Sequence, residues 1–174
     1  FFLPNFGGFV GNKTLFISVL KQWIRDHFIQ TWEGRLEISS RALFYNSFRS
    51  FEFQNYLHAC NITKYRQSLT RLRLSSHRLE VEAGRWNKPN PKPIFERKCK
   101  ICDTVEDEYH FVIVCPMYSD IRKVYIKEFY IVRPSMYKFI SLINCKSEKH
   151  VRNLVIFVQK AFEIRNTRVF TDGS

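Results

Sequence analysis

Over residues 15–32 the apolar side chains Phe16, Leu20, Trp23, Ile24 and Phe28 return every three or four positions, the period of one helix face. That spacing predicts a helix. Residues 37–53 hold helix-compatible residues without a clean stripe and are left as helix or loop. Asn61 can cap a helix through Tyr65, Leu69 and Leu72, interrupted near Ser75 and Ser76 and ended by Gly84 as a C-terminal glycine. The run NKPNPKP at 87–93 places three prolines at alternate positions, which predicts an extended, exposed linker and an internal boundary. Pro116 can open a helix carrying Tyr118, Ile121, Val124, Tyr125 and Phe129. After Arg133 and Pro134, Ser135 can cap a shorter helix to about Asn144. The strongest stripe comes last, in Val151, Leu154, Val155, Val158 and Phe162. Apart from Asp172-Gly173 in the terminal TDGS, no Asn-Gly or Asp-Gly pair of the hairpin type occurs. The expected fold is mainly α, with helical segments flanking a small Cys-Cys-His-Cys knuckle. The expected organisation is a helical, basic region at 13–86, a proline-rich connector at 87–98, the knuckle at 99–115 and C-terminal helices at 116–168.

Composition supports folding. The 174 residues are 45% hydrophobic and 16% aromatic, enough for one packed domain and too few for several large ones. The opening FFLPNFGGFV is broken by Pro4, Asn5, Gly7 and Gly8 and has no basic flank, so it reads as neither a membrane span nor a secretory signal. Because the first residue is Phe, the chain is expected to be a fragment. Five cysteines, an odd count without a signal, favour reduced intracellular thiols over a disulfide framework. A formal net charge of +12 favours a polyanionic partner, and the charge is uneven: residues 61–100 hold eleven Lys or Arg against Glu80, Glu82 and Glu96.

The chemistry concentrates in KCKICDTVEDEYHFVIVC, residues 98–115, with the spacing Cys99-x2-Cys102-x7-His110-x4-Cys115. A Cys-x2-Cys turn converges two sulfurs on one cation, and a histidine and a third cysteine complete the four ligands that Zn2+ takes as a tetrahedron. Arg97, Lys98 and Lys100 flank the first pair and are expected to favour thiolates. His110 and Cys115 would be about 140° apart on a regular helix, so a bend or a helix start is expected between them. Buried cysteine in ordinary core accounts for Cys115 beside Val112, Ile113 and Val114, but not for a close pair amid Lys and Arg. Four filled positions make the site structural, not catalytic. Asp103, Glu106, Asp107 and Glu108 would repel phosphate, so that loop is expected to face away from nucleic acid, leaving Lys98, Lys100 and the earlier basic segment as contacts.

In that basic segment, 63–86, a continuous helix would put Arg66, Arg73 and His77 on one face and Arg71 and Arg78 on another about 120° away. Such ridges suit tracking along phosphates, or simply form a solvated face. Trp86 suits base stacking or packing on the prolines.

The order RLRLSSH, then E-x-GRW, a proline-rich spacer and CKIC…EDEYHFVIVCPMYSDIRKVYI resembles the C-terminal region of non-LTR retrotransposon reverse transcriptases. The likeness spans about residues 21–162 and is strongest over 65–126. It implies a zinc knuckle ligated by Cys99, Cys102, His110 and Cys115. It also implies DNA or RNA contacts from Arg71, Arg73, His77, Arg78 and Arg85, and a nuclear location; the polymerase domain of the same polyprotein is a partner that a protein–protein adaptor would take. The chain departs from that family's whole proteins in having no Asp-Asp pair for a two-metal polymerase site and no phosphate-binding glycine loop, so no enzymatic activity is expected of it. Neither a membrane nor a small-molecule substrate is expected. The terminal TDGS resembles the opening strand of an RNase H domain, but four residues at a chain end read more readily as a frayed polar tail. A protein–protein adaptor and a functionless relic stand as the alternatives.

Overall fold

In the computed structural model, which describes residues 13–40 and 42–171 (the side chains of 168–171 excepted), nearly all regular structure is helical. Among the described residues nine α-helices run in chain order: α1 (Lys13–Glu37), α2 (Leu43–Asn46), α3 (Tyr56–Ala59), α4 (Thr63–Arg73), α5 (Glu80–Ala83), α6 (Ser119–Tyr125), α7 (Glu128–Ile131), α8 (Met136–Ile143) and α9 (Glu148–Thr171). Among the described residues there is no strand, only an isolated antiparallel bridge between Lys98 and Val105. The chain groups into two compact units, one ending at Ala42 and one beginning at Leu43. The first consists mainly of α1, which extends the helix expected at 15–32 by a turn or so at its C-terminal end.

The second unit is built around α9. Val151, Leu154, Val155, Phe157, Val158 and Ala161 are all buried, a band wider than one stripe, because α3, α4 and α6 pack around this helix. From α4, Leu69 and Leu72 enter the same core, joined by Phe111, Tyr118, Phe139 and Leu142. The expectation of a mainly helical fold around a Cys-rich site holds.

Several local expectations change. The cap of α4 is Ile62, with no side-chain bond, and not Asn61. The helix stops at Arg73 and does not run on toward Gly84. Its end is a Schellman turn: Ser76 N donates to Arg71 O (2.8 Å) and Ser75 N to Leu72 O (3.3 Å), with Ser75 left-handed at φ 48°. Gly84 has φ −66° and is no left-handed cap. A Cβ there would lie 2.7 Å from Arg97 Cγ, so close approach is what excludes a side chain.

The proline run is tied down rather than free. Lys92 N donates to Gly84 O (2.8 Å) and Arg97 Nε donates to Lys92 O (2.8 Å), within the second unit. Pro116 opens a short 3-10 turn, Pro116–Tyr118, that leads into α6; this helix ends at Tyr125, before Phe129. Ser135 caps α8 as expected, its Oγ accepting from Lys138 N at 3.3 Å. Of the TDGS tail, residues 172–174 lie outside the described residues, as do residues 1–12.

Candidate metal centre

Two small pieces of backbone bring the four ligands together. The first is the turn between Lys98 and Val105. Cys99 N donates to Thr104 O (2.7 Å) and Asp103 N to Cys99 O (3.0 Å), which folds Cys99 and Cys102 toward one point. Asp103 takes the left-handed conformation (φ 52°) that this reversal needs. The second is a π-helical turn, His110–Val114, in which Cys115 N donates to His110 O at 2.8 Å. A five-residue hydrogen-bonded turn realigns positions that a regular α-helix would hold about 140° apart. The chain then breaks at Cys115 (φ −55°, ψ 122°) and Pro116 starts the next turn. The bend expected between the two ligands is therefore a π turn ending in a break.

The Sγ–Sγ distances are 3.6 Å (Cys99–Cys102), 3.8 Å (Cys102–Cys115) and 3.9 Å (Cys99–Cys115), and His110 Nε2 lies 3.3 Å from Cys102 Sγ. All four ligand atoms fall within 4.8 Å of one another. A tetrahedron on metal–sulfur bonds of about 2.3 Å has edges of about 3.8 Å, so the three sulfurs already stand at ligand spacing. The cluster can hold a metal ion. Thr104 Oγ1 lies 3.1 Å from His110 Nδ1; accepting the proton there, it leaves the Nε2 lone pair aimed at the sulfurs.

Electrostatics before metal binding run against the sequence expectation. Burial pushes the Cys102 and Cys115 thiols up, Cys115 to about 12 despite a bond from Met117 N–H. Two of the three flanking cations are occupied elsewhere: Arg97 Nη1 donates to Val81 O (2.8 Å), and Lys98 pairs with Asp103 (2.9 Å). They do not make Cys102 and Cys115 thiolates; a bound cation has to do so. Burial also lowers His110, outweighing nearby carboxylates, which keeps the imidazole neutral and able to ligate. Buried Arg122, from α6, donates to Val112 O (2.8 Å) and Cys115 O (2.7 Å). Three thiolates around a divalent ion leave one net negative charge, and this guanidinium stands beside it.

The acidic stretch is mostly internal. Only Asp103 is fully exposed; Glu106 and Glu108 are buried and Asp107 is half-buried. Asp107 Oδ1 accepts from His110 N (2.7 Å), capping the turn that carries the ligand. Glu108 Oε1 accepts from Ser75 Oγ (2.6 Å) and meets His77 Nε2 at 3.0 Å. Burial alone would raise Glu108, but the bonds from His77 and Ser75 outweigh it and hold the carboxyl below its usual value. Glu106 accepts two bonds from Arg165 of α9 (2.8 and 2.6 Å) and one from Glu80 N (2.8 Å). The expected phosphate-repelling loop is instead the glue between the knuckle, the turn after α4, and α9.

The residues expected to contact nucleic acid separate into three groups by exposure. Arg73 is 3% exposed, donating to Ile143 O and Gln54 Oε1 (both 2.6 Å) between the Phe48 and Tyr56 rings. The His77 side chain is 1% exposed and bound to Glu108. These two hold the fold together and do not face solvent. Arg85 is half-buried and pairs with Glu82 at 3.3 Å. Arg71, Arg78, Lys98 and Lys100 are exposed. The sequence reading missed Ser75, Glu108, Thr104, Arg122 and Arg165 as supports of the centre. A buried role for Glu108 is not marked locally, since its partners lie 31 and 33 residues away.

No family model, curated protein or solved structure matches this chain. Among the described residues, no helix is long and apolar enough to cross a membrane.

Proposed function

We propose that this chain is the nucleic-acid-binding C-terminal segment of a non-LTR retrotransposon reverse transcriptase, stabilised by structural Zn2+ and carrying no polymerase or endonuclease site of its own. The convergence of Cys99, Cys102, His110 and Cys115 on one point carries the reading. Three soft thiolates and an imidazole select zinc over hard cations, and four protein ligands leave no open position for substrate or water. The net charge of +12 and the exposed Arg71, Arg78, Lys98 and Lys100 support a phosphate-bearing partner, DNA or RNA. The nuclear site of action that the family resemblance implies goes with this reading.

Metal analysis of the purified chain tests the first half: about one zinc per chain is expected, and none would remove the centre. Oligonucleotide binding at increasing salt tests the second half, with affinity expected to fall steeply. Exposed Ile94, Phe95 and Ile101 beside the knuckle favour a second reading, a zinc-bearing adaptor whose partner is a protein such as the polymerase domain of the same polyprotein. Zinc without oligonucleotide binding at low salt would select that reading.

A further inference from the structure

Beyond the metal centre, α4 and α9 form a cavity of about 590 Å³. Lys64, Gln67 and Arg71 of α4, Arg78 just after it, and Glu163 and Asn166 of α9 line it. Its charge is unbalanced in a specific way. Among the described lining residues the one exposed carboxylate, Glu163, is taken by Lys64 at 2.6 Å, and that bond holds its carboxyl below the usual value. The Arg165 guanidinium is taken by Glu106 and Glu80. Arg71 and Arg78 remain, exposed and paired with no carboxylate among the described residues.

Both arginines line this cavity, and the Schellman turn lies between them in the chain. Arg71 O accepts from Ser76 N, so the chain reverses and returns Arg78 to the same cavity. On a continuous helix they would also share a face; here the reversal places them, and it is locked from beneath. Ser75 and His77, the residues of the reversal, both bind Glu108, two positions before the ligand His110. Two guanidinium forks over a concave polar surface, with amides from Gln67 and Asn166 beside them, form a receptor for phosphodiester oxygens.

We propose that this α4–α9 cavity is where the chain grips the phosphodiester backbone of a nucleic-acid strand, with Arg71 and Arg78 as the contacting pair. The proposal rests on the nucleic-acid reading above and assigns it a surface separate from the knuckle. The test compares two charge-reversed double variants of the zinc-loaded full chain, Arg71→Glu with Arg78→Glu, and Lys123→Glu with Lys149→Glu. The second pair is exposed and lies on α6 and the first turn of α9. Fluorescence anisotropy is read with a single-stranded RNA and with a DNA duplex of equal length, across a salt series.

The cavity variant is expected to lose roughly tenfold or more in affinity. The magnitude of its log K against log salt slope should fall by about 1.4–1.8, the loss of two phosphate contacts. The control pair should change both quantities much less. A neutral version, Arg71→Gln with Arg78→Gln, should show the same slope change at wild-type zinc content, which separates contact from misfolding. Equal losses in the two double variants, or wild-type binding by the cavity variant, would overturn the cavity and leave the nucleic-acid reading standing. A wild-type chain that binds neither oligonucleotide at low salt would overturn both.

Discussion

The Glu108 carboxylate accepts from Ser75 and His77 inside the protein, two positions before a metal ligand. Glu108→Ala strands both donors away from water, and hydrogen bonds to a charged group contribute about 1.5–3 kcal/mol each. We expect the zinc-loaded variant to lose about 3 kcal/mol of stability in urea unfolding; a loss under 1 kcal/mol would show that the pair is slack. The ligands act at the same scale. Cys115→Ser removes one corner of the tetrahedron, and metal analysis should then find little or no zinc at an equilibrium that saturates the parent. Burial holds the Cys115 thiol at about 12 without metal, so metal uptake near neutral pH has to displace its proton. A lightly buffered solution should therefore acidify when one equivalent of zinc is added. An unchanged pH would mean that this thiol does not ligate.

At the scale of elements, two glycine-like positions show what the packing demands. Ser75 occupies the left-handed site of a Schellman turn, where glycine is usual and another residue costs about 1–2 kcal/mol. Serine is nonetheless stable there because its hydroxyl reaches Glu108. Ser75→Ala should thus destabilise more than Ser75→Gly, by about 1 kcal/mol in thermal unfolding, since both lose the bond and only glycine relieves the strain. Gly84 presents the opposite case, an ordinary φ with no room for a Cβ. The obstructing Arg97 is held by Lys92 O and Val81 O and has little freedom to withdraw. Gly84→Ala is expected to cost about 1–3 kcal/mol, the range for overpacking.

Across the second unit, the knuckle is a keystone more than an appendage. Glu106 joins it to α5 and α9, Glu108 joins it to the turn after α4, and Arg122 joins it to α6. Losing the metal should therefore loosen more than residues 97–115. On adding a chelator, amide hydrogen exchange should accelerate around residues 75–82 and near Arg165 as well, while α8 keeps most of its protection. Exchange confined to the knuckle would show that these links carry no coupling. The same links place the Arg71–Arg78 cavity downstream of the metal centre, because the turn that joins the two arginines rests on Glu108.

What the sequence determined by itself was local: the stripe of α9, the cap of α8 at Ser135, and a ligand set whose spacing requires a tight turn and a break before Cys115. Those features are legible because they depend on residues within a few positions of one another. The tertiary structure decided which charges are available. Arg71 and Arg73 are two residues apart with the same chemistry, yet one lies in an open cavity and the other between two aromatic rings under a carbonyl. Asp103 and Glu108 belong to one acidic run, yet one faces water and the other anchors the turn after α4. Burial is set by elements that arrive from 33 residues away, as at Ser75 and Glu108, or 91, as at Ser68 and Gln159. A charged residue's role follows from whether such an element brings it a partner, and no local pattern records that.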